Sequence, residues 1–586
     1  MAFGSSSIEN LLALIEQDQA ALIVEFLADF GIIIDLEELS GVIGDIEEVA
    51  TVLAEAVYGA ASPEELEQLA IRLLVEAVTP GRDLVIEPAV NIPADEEIVL
   101  NGTIVTPLLI NDGAIVDEGG RLGDNLFAGV LFNDGEIAFD RGQDLIVSLA
   151  GGLGNTGTIS TGVRLDLVSG TDSGVESVKG IFNLGIPETQ DFGVGGVIET
   201  GAGDDRVVGN AVGIIDAVGI ANSGPGALIA TGRNNDLVSG NASAIDLALG
   251  IQNEDGAIIA TGTGDDWIIG EADDLTGLVP FGAMAGILND AGSLIQTGAG
   301  DDVVEGFAFA LNSLGVGSDV AGIVNENSVI ALGSGNDFLF GEGFSTGDQA
   351  TVSGISSRGS NEEHAVLDLG GGDNTVLGFA EDGFGAVGGF IRGIELINSK
   401  IVSRGGNDLI DGGAADGIFN SGIYLDSSSV IKLGAGNDEV FGFGFFGESN
   451  KGITNFGTIS LGRGDDVVDA NEGGFGGDGL TRLGMGDDTL IGFGSGFFDA
   501  GGGFELDVQK DRLLLPDGVY TIGTTSDQDG YFDLMSDGIA MKIQGFELVG
   551  SERAPDDAID FLLTSSAVDQ NLITIDGSSI SIVGVV

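Results

Sequence analysis

Gly201-Ala-Gly-Asp-Asp-Arg-Val-Val-Gly209 is one copy of a string that returns along most of the chain. It recurs as Gly262 to Gly270, Gly298 to Gly306, Gly333 to Gly341, Gly370 to Gly378, Gly434 to Gly442 and Gly484 to Gly492. Weaker copies stand at Gly162 to Gly170, Gly232 to Gly240, Gly405 to Gly412 and Gly462 to Ala470. Most copies start 28 to 39 residues after the one before. That spacing is too long for a hairpin and suits one coil of a solenoid.

A second string, Asn-x-Gly-x-Ile, begins at Asn111, Asn133 and Asn155, 22 residues apart, and returns at Asn455. Looser copies follow Gly-Ile at Asn183, Asn222, Asn253, Asn289, Asn325 and Asn420. Between the two strings lie short runs of Ile, Val and Leu, the length of single strands. The expected fold is therefore mainly β: a parallel β-helix whose coils bury these runs and hydrogen-bond to their neighbours. The Asn column reads as an internal amide ladder. Differences in repeat length are assigned to loops such as Gly270 to Phe281 and Phe379 to Phe390.

Aligning the turn strings makes one position aspartate in ten of eleven copies: Asp166, Asp205, Asp236, Asp266, Asp302, Asp337, Asp408, Asp438, Asp466 and Asp488, with Asn374 the exception. The position before it carries Asp204, Asp265, Asp301, Asp373, Asp465 and Asp487. Stacked one strand spacing apart, two carboxylates repel by about 3.5 kcal/mol at an effective dielectric of 20. Either they splay into water or cations lie between coils, and calcium suits a site of carboxylates and glycine-turn carbonyls. The competing reading is that Asp and Asn close Asx turns on their own backbone.

Composition narrows the chemistry. The chain has 586 residues, 93 Asp and Glu against 20 Lys and Arg, and a formal net charge of −73. Such a surface repels phosphate backbones and anionic lipid, which argues against nucleic-acid or membrane-surface binding. No cysteine and a single histidine, His364, exclude thiol chemistry and zinc sites of the usual kind. Glycine numbers 102, about 2.5 times its ordinary share. No apolar run is long enough to span a bilayer, and the first basic residue is Arg72, so a Sec-type start is not expected.

The resulting division is a helical segment over 1–82, first β-helix coils over 83–160, a calcium-binding solenoid over 161–502 and a β cap over 503–586. The first segment rests on Ser62-Pro-Glu-Glu65, a helix start followed by an apolar stripe from Leu66 to Ala77. In the last, turns are expected at Pro516-Asp-Gly518 and Ser536-Asp-Gly538.

The turns resemble the nonapeptide of the RTX (repeats-in-toxin) secreted calcium-binding proteins. Gly201, Gly203, Asp205 and Val207 match four of its positions, and Gly473-Gly-Phe-Gly-Gly-Asp-Gly-Leu-Thr481 matches all of it. The resemblance implies calcium held between neighbouring turns by aspartates and glycine carbonyls. Carried over, the ligands are Gly201, Gly203, Asp204, Asp205, Asp236, Gly262, Gly264, Asp265, Asp266, Gly298, Gly300, Asp301, Asp302, Gly333, Gly335, Asp337, Asp373, Asp408, Gly434, Gly436, Asp438, Asp465, Asp466, Asp478, Asp487 and Asp488. In that family the repeats run in tandem; here only Gly462 to about Asp499 approaches tandem spacing. The resemblance also implies type I export, with the acidic, apolar-ended tail Ile580-Ser-Ile-Val-Gly-Val-Val586 as its uncleaved signal, and folding on calcium outside the cell.

Three functional readings follow. The first is a secreted, calcium-stiffened surface-layer, matrix or adhesin protein, with extracellular polysaccharide or self-assembly as possible partners. The second is a calcium-dependent polysaccharide lyase, hydrolase or epimerase, with His364, Arg392, Lys400 and Arg404 as catalytic candidates. The third, an ice-binding surface, rests on the column Thr161, Thr200, Thr231, Thr261 and Thr297. It is weakened because that column continues as Leu332, Leu369, Leu433, Leu461 and Leu483. Phenylalanines concentrate at Phe441 to Phe446 and Phe493 to Phe504, with Trp267 and Phe338 in equivalent turn positions, as surfaces for stacking or burial beneath loops.

Overall fold

The structure is a computed structural model that describes residues 83–584 except 87–88, 118–123, 141, 175–176, 186–195, 275–282, 311–318, 347–350, 361–362, 384–389, 446–448, 471, 502–509, 524–529 and 561–570. The helical segment expected over 1–82 lies outside the described residues. Among the described residues every regular element is a strand. The chain divides into two compact units, one ending at Gly240 and one beginning at Asn241.

Most coils are built from three strands, because the sequence supplies three apolar runs separated by glycine or Asx turns; in the first coils Gly102–Asn111 and Asn125–Asn133 each run through two of the three positions. In the first unit one coil is Arg206–Gly213, Asp216–Ser223 and Leu228–Arg233. Each strand pairs in parallel with its counterpart: Leu167 to Gly174 face Arg206 to Gly213, Ile181 faces Ile220, and Val197 faces Leu228. The result is three parallel stacks, as the two repeat periods require.

The second unit repeats the plan with longer columns. Ile268, Val304, Leu339, Val376, Ile410, Val440, Val468, Leu490 and Leu513 align down the first stack. Ile251, Ile287, Ile323, Ile355, Ile394, Ile423 and Ile453 align down the second. All are fully buried, and each such side chain contributes about 1.5 to 3 kcal/mol.

Inside each coil the first and second strands meet with no side chain between them. A Cβ on Gly306 would lie 2.2 Å from the Gly322 carbonyl oxygen, and one on Gly322 would lie 2.2 Å from the Glu342 nitrogen. This contact, repeated at Gly341 with Gly354 and at Gly412 with Gly422, accounts for much of the glycine excess. Backbone approach, not turn flexibility alone, selects it.

The amide ladder forms. Asn111 donates to Asn133, Asn133 to Asn155, Asn155 to Asn183 and Asn183 to Asn222, at 2.7 to 2.8 Å. In the second unit Asn253 donates to Asn289 and Asn289 to Asn325. Asn420 is not part of it. Register places Ser357, Leu396 and Leu425 on the column before Asn455, while Asn420 faces Ile391. The string Gly417-Ile-Phe-Asn420 imitates the pattern; Gly422-Ile-Tyr-Leu425 occupies it.

Repeat-length variation falls later in the coil than expected. Trp267–Asp274 and Thr375–Asp382 are continuous strands, so the variable segments lie between Asp274 and Met284 and between Asp382 and Phe390. The region from Gly462 to Asp499 keeps the three-strand coil in place of a nine-residue roll. Asp466 and Asp488 share one column, whereas exposed Asp478 precedes the strand Leu480–Met485 and Asp499 ends the strand Gly496–Asp499.

The carboxyl-terminal part changes from parallel to antiparallel pairing. Arg512–Leu515 and Leu548–Ser551 continue the first stack in parallel, and Phe532–Ser536 then pairs antiparallel with Ile539–Gln544. Their turn uses Asp537 and Gly538, both with positive φ. The tail strand Ser579–Gly584 forms a hairpin with Asn571–Asp576.

Candidate functional site: two counter-running ladders

The turn string sets two neighbouring residues on opposite sides of the backbone. In Gly298 to Gly306, Gly298 and Gly300 take positive φ of 107° and 147° and swing the chain around the corner. Asp301 then faces solvent and Asp302 faces the interior.

The inner column is fully buried. In the first unit the backbone N–H of Asp124 donates to the carboxylate of Asp144, Asp144 to Asp166, Asp166 to Asp205 and Asp205 to Asp236, at 2.7 to 2.8 Å. In the second unit the chain of bonds runs from Asp266 through Asp302, Asp337, Asn374, Asp408, Asp438, Asp466 and Asp488 to Asp511, at 2.9 to 3.1 Å. It ends where the Asp511 N–H meets the Glu547 carboxylate.

The outer column runs the other way. Asp301 donates its N–H to the side chain of Asp265, Asn336 to Asp301, Asp373 to Asn336, Asn407 to Asp373, Asn437 to Asn407, Asp465 to Asn437 and Asp487 to Asp465, at 2.7 to 3.0 Å. In the first unit Asn235 donates to Asp204. Neutral Asn336, Asn407 and Asn437 interleave with the acids and dilute their repulsion. The Asx reading is thus nearer the geometry, but the partner is the next coil's backbone and not the residue's own.

Burial sets the charge of the inner column. It pushes Asp337 up to about 7, Asp438 to about 6, Asp466 to about 8 and Asp488 to about 6, against the N–H bonds that favour the ionised form. The second oxygen of these four carboxyls is buried without a hydrogen-bond partner, and the residue five places earlier is leucine: Leu332, Leu433, Leu461 or Leu483. The same holds where that residue is threonine: the second oxygens of Asp166, Asp205 and Asp302 are also buried without a partner. Burial raises Asp302 to about 6 while the backbone hydrogen bond from Asp266 pulls it down. Thr161, Thr200, Thr231, Thr261 and Thr297 are fully buried, so the threonine column faces inward, and the hydroxyls of Thr161, Thr200, Thr261 and Thr297 donate to a carbonyl oxygen of the next coil.

Thr297→Val keeps the volume of the side chain and removes its hydroxyl. The Leu332 carbonyl oxygen then loses the donor that stands 2.6 Å away, and we expect stability to fall by about 1 kcal/mol. Urea unfolding of variant and parent checks this.

Calcium can be tested against the residues present. The inner carboxylates spend one oxygen on a backbone N–H and hold the other away from solvent. The turn carbonyls are engaged too: Ala299 accepts from Gly264 N–H and Ser334 from Gly300 N–H, both at 2.9 Å. A Cβ on Gly298 would lie 1.9 Å from the Gly262 carbonyl oxygen, and one on Gly300 would lie 1.7 Å from that of Gly264. Neighbouring turns are in contact, with no slot for an ion between them. Among the described residues no three acidic or histidine side chains gather into a metal cluster. The inner set Asp205, Asp236, Asp266, Asp302, Asp337, Asp408, Asp438, Asp466 and Asp488 therefore does not fit an inter-coil calcium cage. Asp204, Asp265, Asp301, Asp373, Asp465, Asp487 and Asp478 are exposed and meet cations only from solvent.

The catalytic candidates divide between two stacks: Arg392 lies on the second, and Lys400 and Arg404 lie on the third, paired with the strand that His364 immediately precedes. Arg392 lies on the second stack, where it ion-pairs with buried Glu395 and stacks 3.8 Å from the Tyr424 ring. His364 lies 3.2 Å from the Asn398 carbonyl oxygen. Lys400 occupies the third stack opposite Val366 and Val430, and Arg404 pairs with Asp368 at 2.8 Å. Sequence reading missed Asp124, Asp144, Asp511 and Glu547, since none sits in a recognisable turn string. Their signal was spacing alone: Asp124 and Asp144 precede Asp166 by 42 and 22 residues.

No family model, curated protein or solved structure matches the chain.

Proposed function

We propose that this protein is a secreted structural β-solenoid of the bacterial surface, a layer, matrix or adhesin component whose coils are clamped by their own side chains. The observation that supports it is the uniform pair of ladders, one buried and one exposed, with no irregular cluster interrupting either column. In this reading calcium is a counter-ion of the exposed column and not the clip that defines the fold. Export by a type I route and assembly outside the cell come from the RTX-like turns.

Two measurements test it. Circular dichroism in excess chelator should retain the strand signal, with millimolar calcium raising the melting temperature by only a few degrees through screening. Loss of the strand signal on chelation would restore calcium as the organising ion. Immunogold labelling of intact cells should decorate their exterior; label confined to the cytoplasm would remove the surface role.

A further inference from the structure

The outward face of the first stack in the second unit carries an aromatic belt. Phe307, Phe340, Phe379, Phe443 and Phe445 follow one another in ring contact, with centroid separations of 5.4 Å, 6.1 Å, 5.9 Å and 5.2 Å. The six strands that bear it, from Trp267–Asp274 to Glu439–Phe445, contain no Lys, Arg or His. They carry Glu271, Glu305, Glu342, Glu381, Asp411 and Glu439 instead. Burial and then Glu439 push Asp411 up to about 6, and burial and then Glu271 raise Glu305.

The belt has one notch. Register places Gly413 between Phe379 and Phe443, and Ala415 between Glu381 and Phe445. Without a side chain at 413 the two rings lean over the backbone: a Cβ there would come within 2.2 Å of Phe443 Cζ and 2.6 Å of Phe379 Cδ1. The short Ala415 leaves the space beside them open. The cavity, about 280 Å³, is lined by Phe379 and Phe443, by Gly343, Ala380 and Ala414, and by Glu342 and Glu381.

We propose that this notch binds a small organic cation bearing a methylated ammonium group, the ring faces taking the methyls and Glu342 and Glu381 the charge. A metal ion gains little from phenyl walls, and a neutral apolar ligand gains nothing from the carboxylates. A soft, weakly hydrated cation uses both. The site is independent of the ladders, so its fate does not decide the structural role.

The test is calorimetric titration of the full chain with choline and with its neutral isostere, 3,3-dimethyl-1-butanol. Choline should bind saturably and about tenfold more tightly than the isostere. Phe443→Leu, which keeps apolar bulk but loses the ring face, should weaken choline about tenfold with an unchanged circular dichroism spectrum, and Glu381→Gln should weaken it severalfold. Equal affinity for the two compounds, an unaltered Phe443→Leu isotherm or no saturable choline binding would each overturn the proposal.

Discussion

Taking the protein from about pH 8 to about pH 5 in chelator raises its unfolding temperature, the reverse of ordinary acid denaturation. The inner carboxyls have folded-state pKa values above the unfolded value of about 3.9: Asp166 and Asp466 about 8, Asp337 and Asp511 about 7, and Asp205, Asp302, Asp438 and Asp488 about 6. Burial is the leading cause at every one. A group shifted upward favours the fold most when protonated. Its contribution is complete below pH ~4 and is lost as pH climbs through the folded values, here between ~6 and ~8. Between pH 8 and pH 5 a rung whose folded value is about 6 gains roughly 1 kcal/mol, and one near 8 gains more. Relief of repulsion among the exposed acids acts in the same direction. Asp426 opposes: burial raises it, but bonds from Ser429, Asn398 and Ser428 outweigh that and hold it low, so its share disappears only in stronger acid. Thermal melts across the pH range decide the matter; stability that falls steadily from pH 8 to pH 5 contradicts a buried, proton-accepting column.

The second large effect is a contrast at one rung. Asp438→Asn retains the oxygen that receives the Asp408 N–H at 2.9 Å and removes a carboxyl that is costly to ionise. Asn374 already demonstrates the exchange, accepting from Asp337 N–H and donating its own side-chain amide to Asp408. The variant should be as stable as the parent or more so at pH 8, and its pH dependence should flatten. Asp438→Ala leaves the Asp408 N–H buried without a partner and opens a small void, for a loss of about 2 to 4 kcal/mol. Chemical denaturation of the pair distinguishes the roles. If both variants lose stability equally, the negative charge itself, and with it a bound cation, is what the rung requires.

The repeats made the solenoid legible, and the reason is geometric: one residue per coil at a fixed position has to become a column. Asn111 to Asn222 and the aspartate column were therefore visible in the chain. The side on which that column lies was not, because Asp301 and Asp302 are adjacent and only the φ values of Gly298 and Gly300 determine which turns inward. The sequence reading weighed splaying into water against cations between coils; burial adds a third answer to the same repulsion, raised pKa values that favour the protonated form. Asn420 misled for a related reason: a Gly-Ile pair can be matched out of register when the true coil carries Leu425.

The opposed polarity of the two ladders has a further consequence. Along each ladder an interior coil gives an N–H to an Asp or Asn side chain of one neighbour and receives one from the other, so coils are interchangeable parts. Only the last must meet a special demand, which Glu547 fulfils for Asp511. Duplicating or deleting an internal coil leaves that arrangement intact, and evolution can adjust reach without redesigning the join.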